Sequence, residues 1–321
     1  MPRRIVKIWQ WRPIFTRPID LQMDDNRGFL ETMIGDGRPL LIVTALILPV
    51  SGAFAIFQAA TGQFLPHDAD YLGMTAHDLC TLHGCRILHF MIHDRISFGG
   101  VLLGIGVMYL WLCLFPLRAH ESWAWWALAI SGGAGFLSFL AYLGYGYLDT
   151  WHGAATLVLL PIFAAGPVPR ASAAPRAGRA SGARPRLGPG DRPRAAAHVD
   201  VRDHRGRAHD HDGRHDVGGR ARRQCAAHLI PLIAHDRAGF GGALVSCGLA
   251  MFLCVLCGRP TRTLWQALTI AGLAGFGTTL GIHPAIGYTS VSHLGPAVFG
   301  CGVFAAGLAL TATRRDGRVS P

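Results

Sequence analysis

His93-Asp94-Arg95-Ile96-Ser97-Phe98-Gly99-Gly100 recurs as His235-Asp236-Arg237-Ala238-Gly239-Phe240-Gly241-Gly242, and each copy stands at the mouth of a long apolar stretch. The agreement extends downstream. Gly106 matches Gly248, and after a two-residue gap Trp125, Ala127, Leu128, Gly132, Gly135 and Phe136 match Trp265, Ala267, Leu268, Gly272, Gly275 and Phe276. One residue further out, Tyr147 and His152 match Tyr288 and His293. Gly/Ala matches arise by chance in apolar sequence, but a shared His-Asp-Arg-x-x-Phe-Gly-Gly with collinear Trp, Tyr and His points to duplication.

The apolar stretches predict an all-α polytopic transmembrane bundle. The run from Pro39 to Ala60 is long enough to cross roughly 30 Å of hydrocarbon at about 1.5 Å per residue. Further helices are expected at Ser97 to Phe115, Trp123 to about Tyr147, His152 to Ala165, Gly239 to Cys257, Leu264 to Ile282 and Leu294 to Thr313, seven in all as written. Between the first two, Thr75 with Asp78 three residues on reads as a capping box, predicting a short surface helix that ends near Gly84. Gly100 and Gly104 have the small-xxx-small spacing that lets a neighbouring helix approach closely.

Half of the residues are hydrophobic, yet the net charge is +11. The average hides two materials. Residues 166–223 hold fourteen of the thirty Lys and Arg residues, every one an Arg, and contain no Ile, Phe, Tyr, Trp or Met. As protein, residues 166–227 have too little apolar surface to offset the entropy of ordering. Codon logic offers another origin: a one-base shift turns the CAY and GAY codons of His209-Asp210-His211-Asp212 into Met, Thr and Ile codons. A hydrophobic helix written in GC-rich DNA would look like this when misread, so a local frameshift is expected, with a genuine basic linker as the alternative. Because the charge is confined to this segment and to short loops, it is no signature of nucleic-acid binding. The expected partner is the lipid bilayer.

The chain therefore divides into a cytoplasmic leader (1–37), a first transmembrane repeat (38–165), the Arg-rich segment (166–227), a second repeat (228–313) and a cytoplasmic tail (314–321). The leader carries Arg3, Arg4, Lys7, Arg12 and Arg17, and no cleavable signal peptide is expected. Arg118, Arg259, Arg262, Arg314, Arg315 and Arg318 should face the cytoplasm, which puts both motifs outside. With an inside N-terminus, four helices return the chain inside at Gly166. The second motif reaches the outer face only if one more helix crosses first, so the intended architecture is two parallel four-helix repeats with one helix lost. The expected location is the inner (plasma) membrane.

The ends of these helices bring polar residues together. The plainest reading of Asp94, Arg95, Asp236, Arg237, Tyr147 and Tyr288 is structural: the charges pair and pin the bundle at headgroup level. A second reading has His93 with His152, and His235 with His293, ligating haem or a metal or bonding a quinone headgroup. A third is a repeat-built transporter, against which no expected helix carries a charge at its centre. Soluble enzymology is disfavoured by the lack of a phosphate loop, a nucleophile elbow or alternating strands and helices. Cys254 and Cys257 read as small apolar residues of a helix, whereas Cys80 and Cys85, in a polar loop, can pair if that loop faces an oxidising compartment.

At FLPHDADYLGM (64–74), CRILHFMIHDRISFGG (85–100) and AYLGYGYLDTWHG (141–153) the chain resembles a family of bacterial multipass membrane proteins. The resemblance covers residues 38–165 and 228–312 and lapses across the Arg-rich segment. Such modules are associated with the label dihydroorotate dehydrogenase, but a flavin-binding barrel of roughly 250 residues has no room beside seven membrane helices.

Overall fold

The computed structural model describes residues 35–140, 147, 150–166 and 217–316. Among these there are nine helices and no strand: α1 (Arg38–Ala60), α2 (Pro66–Leu72), α3 (Ala76–His83), α4 (Arg86–Leu114), α5 (Ser122–Leu140), α6 (Thr150–Ala165), α7 (Val217–Cys257), α8 (Arg262–Ala285) and α9 (Val291–Asp316). Four of them are long and apolar enough to cross a membrane: α1, α4, the Ala227–Cys257 part of α7 and the Val291–Ala312 part of α9. Against the seven crossings expected, four helices among the described residues have the length and apolarity for one. Helices α5 and α6 are described over 19 and 16 residues. In α8, Gln266 and four threonines dilute the apolar run.

Helix α4 is the axis of the bundle. Of its apolar window 78% is buried, against 22% for α1, 28% for the α7 span and none for α9. It packs on α1, α7 and α8, while α5 lies along α7 and α9 along α8. Helix α1 runs antiparallel to α4, with Gly52 beside Gly99 and Ala45 beside Gly106. A Cβ on Gly99 would stand 2.6 Å from the Gly52 carbonyl oxygen, and one on Gly52 2.5 Å from that of Gly99. Only a pair of glycines permits this approach. Helix α7 runs parallel to α4, since Asp236 meets Arg95 near one end and Ser246 meets Tyr109 further along. In the core the Tyr109 hydroxyl bonds Ser131 Oγ at 2.9 Å and Ser246 Oγ at 3.4 Å, so the polar atoms of three helices satisfy one another.

Two boundaries differ in an instructive way from the sequence expectation. Helix α4 begins at Arg86 rather than Ser97, and α7 is already helical at Val217, where the described residues resume, rather than from Gly239, so both motifs lie inside helices. The charged residues look like helix ends when read for hydropathy. Here they find partners across the bundle, and nothing forces the helix to stop. The last part of the Arg-rich segment, from Val217, accordingly belongs to α7, while 167–216 lie outside the described residues.

The short helix α3 is as expected. Thr75 Oγ1 accepts the Asp78 N–H at 3.2 Å, and the Asp78 carboxylate accepts the Thr75 N–H at 2.9 Å. Gly84, with φ +59°, ends it, and the disulfide Cys80–Cys85 spans the turn into α4. Leu72, Leu79, Met91, Tyr147, Leu229 and Leu232 form a small core that seats α2 and α3 over the same end of the bundle as the motifs.

Candidate functional site

The two copies of the motif face each other. Arg95 donates from Nε to Asp236 Oδ2 at 3.0 Å, and in the reciprocal contact Arg237 Nε lies 3.9 Å from Asp94 Oδ2. The contacts are unequal. Arg95 also holds Asp68 Oδ2 at 2.9 Å, and Asp68 is buried and accepts the Tyr147 hydroxyl on its other oxygen. Arg237 is exposed and caps the face of Phe90, 4.9 Å from the ring centroid. Polar side chains at this end therefore bridge α2, α4 and α7, with Tyr147 closing the network.

The imidazoles gather in two groups, and each group crosses between the halves of the chain. His235 Nε2 lies 3.1 Å from His152 Nδ1, with the Tyr147 ring packed edge-on against His235. His93 meets His293 and His283, with centroids 5.2 and 4.6 Å away, and His283 and His293 are 5.2 Å apart. Tyr288 packs on His293 and donates to the Arg86 carbonyl at 3.2 Å. The expected pairings, His93 with His152 and His235 with His293, are replaced by the crossed ones. The reason is the packing order: α4 is flanked by α8 and leads His93 to the α8–α9 turn, while α7 carries His235 towards the start of α6.

Comparison with protein-family models, with curated proteins and with solved structures found no match. The chemistry must be read from the residues themselves.

All ten residues singled out in the sequence lie at this one end of the bundle. Two further members escaped that reading as site residues, Asp68 and His283, both almost fully buried. His283 has no histidine counterpart in the first half, where the offset of the matching tryptophans falls on Leu143, so comparison of the halves passes over it. Among the described residues, His93, His283 and His293 form a group able to hold a metal ion, offering one nitrogen each within 4.8 Å of one another.

Proposed function

We propose that this chain is an integral membrane protein of the inner (plasma) membrane in which the paired His-Asp-Arg segments clasp two duplicated units together at the outer face. The observation that carries the reading is the reciprocal contact of Arg95 with Asp236 and of Arg237 with Asp94. A duplicated unit that meets its copy around a local two-fold axis makes each contact twice, and the motif residues are the ones used twice. The test is a double-mutant cycle on Arg95→Met and Asp236→Asn, read by thermal unfolding in detergent. A coupling of about 0.5–3 kcal/mol is expected for residues in direct contact. Additive losses would sink the clasp.

The same reading extends to the architecture of two parallel four-helix repeats with one helix missing. Gly166 lies against Gly37 at the end of the bundle opposite the motifs, whereas α7 enters from the motif end. The glycines add support. Gly99 and Gly106 of α4 are filled by α1, but no described atom lies within 4 Å of a Cβ built on their counterparts Gly241 and Gly248. Leu102 is 9% exposed beneath α1, while its counterpart Leu244 is 48% exposed. Among the described residues, nothing covers the face of α7 that corresponds to the α1-covered face of α4, which supports the loss of an α1-like helix from the second unit.

A second reading, a redox or quinone-associated membrane subunit, is favoured by the meeting of His235 with His152 and of His93 with His293. Purified protein carrying a Soret band or extractable quinone would support it, and protein free of both would count against it.

A further inference from the structure

His93 and His283 are 5% and 1% exposed, and in each the Nδ1 side is already engaged. His93 Nδ1 lies 3.0 Å from Asp94 Oδ1, and His283 Nδ1 lies 2.5 Å from the Thr279 carbonyl oxygen. Both partners can only accept, so in the neutral ring the proton sits on Nδ1 and the lone pair on Nε2. Each Nε2 is buried without a hydrogen-bond partner. Two buried imidazoles thus each keep an unpartnered lone pair, and one ring nitrogen of each lies within 4.8 Å of the other and of one on His293, which stands in the first turn of α9. Metal-bound histidines are held in this way, with the far nitrogen donating to a carboxylate or a backbone carbonyl that fixes tautomer and ring orientation.

We infer that His93, His283 and His293 form a three-histidine site for a divalent transition ion of the zinc type, with a fourth coordination position left open. The donor set selects the ion. Neutral imidazoles suit Zn²⁺ and its neighbours in the first row, and no thiolate or thioether is present to favour Cu(I). Three protein ligands with an open position are the pattern of catalytic zinc, in which water or substrate takes the fourth place. A tetrahedral ion with bonds of about 2.0–2.1 Å sets its ligand atoms roughly 3.3 Å apart, so the cluster contracts on binding. His293 supplies that movement: it is only partly buried, and its helix packs chiefly on α8.

The His152–His235 pair makes the contrast. There the two nitrogens bond each other, and the first half has no histidine matching His283. One ion per chain is the consequence. The clasp touches this site only through Asp94, which also lies 3.9 Å from Arg237, and its stronger pair, Arg95 with Asp68 and Asp236, takes no part in ligation.

Cobalt titration of the metal-stripped, full-length protein in detergent tests the site. The Arg-rich segment brings five further histidines, so the background carries His198, His204, His209, His211 and His215 changed to Asn. The expected result is one equivalent of Co²⁺ with the intense visible bands of a tetrahedral ion, displaced by Zn²⁺. His283→Gln and His293→Gln abolish those bands, Asp94→Asn weakens affinity about 10–100-fold, and His152→Gln leaves the titration unchanged. Helical circular dichroism checks that each variant is folded, and His293→Gln, at a partly exposed helix start, serves if His283→Gln does not fold. Absence of a stoichiometric tetrahedral spectrum in folded protein would overturn the site. So would bands that survive His293→Gln, or that vanish equally with His152→Gln.

Discussion

Arg95 and Arg237 hold the same place in the same motif and have different surroundings. Arg95 is largely buried between two carboxylates, so Arg95→Ala leaves Asp68 and Asp236 desolvated without a counter-charge and should cost about 3–5 kcal/mol. Arg237 is 62% exposed, and its distant pairing with Asp94 is screened by solvent. Arg237→Ala should cost no more than about 1 kcal/mol. Thermal or chemical unfolding of the two variants in detergent measures the contrast, and equal losses would contradict it. At this scale the sequence told which side chains carry the polar chemistry, because charged residues beside apolar runs are conspicuous. It did not tell who meets whom. Asp68 stands in a short polar stretch that reads as loop, and its burial arises only when α2 is seated over the motif end. His283 reads as one more polar residue at a helix end until the turn between α8 and α9 brings it to His93.

Helix ends with local chemistry were legible, and those set by distant packing were not. The Thr75–Asp78 box and the Gly84 stop are written within α3, whereas α4 and α7 pass through charged residues that local hydropathy assigns to water. The box also titrates. Bonds from the Thr75 backbone and side chain hold the Asp78 carboxyl below its ordinary value. Its stabilising effect is present above the ordinary carboxylate range and is lost as the pH falls through the lowered value. Hydrogen-exchange protection across α3, corrected for intrinsic rate, should fall in that acid range, and Asp78→Asn should remove the pH dependence. The glycines supply a second prediction for elements. Gly99→Leu drives a side chain into α1 and should cost at least about 1–3 kcal/mol by overpacking, whereas Gly241→Leu meets no described neighbour and should be nearly silent. If both are equally harmful, the open face on α7 is wrongly assigned.

Over the whole molecule, an all-helical chain with apolar spans was readable from periodicity and length, but the crossing of the halves was not, since matching motifs say which residues correspond and not how they meet. Sidedness is testable on a background with Cys225, Cys257 and Cys301 changed to Ser, using Thr61→Cys and Ser290→Cys at the motif end and His120→Cys at the other. An impermeant thiol reagent should label the first two in intact cells and spare the third. The opposite pattern would reverse the proposed orientation. If the reading frame is restored across codons 166 to 227, Gly241→Leu should become as damaging as Gly99→Leu. Finally, α4 has 29 residues and is about 43 Å long, well beyond the roughly 30 Å of hydrocarbon that a membrane crossing, as proposed above, would require. Measured back from Leu114, such a crossing would end near Arg95, which on the proposed reading makes the axial helix a depth gauge. In a thicker bilayer the Arg95 ion pairs sink into lipid, and in a thinner one they rise into water. Thermal stability in vesicles of graded acyl-chain length should therefore pass through a maximum where the bilayer matches the gauge.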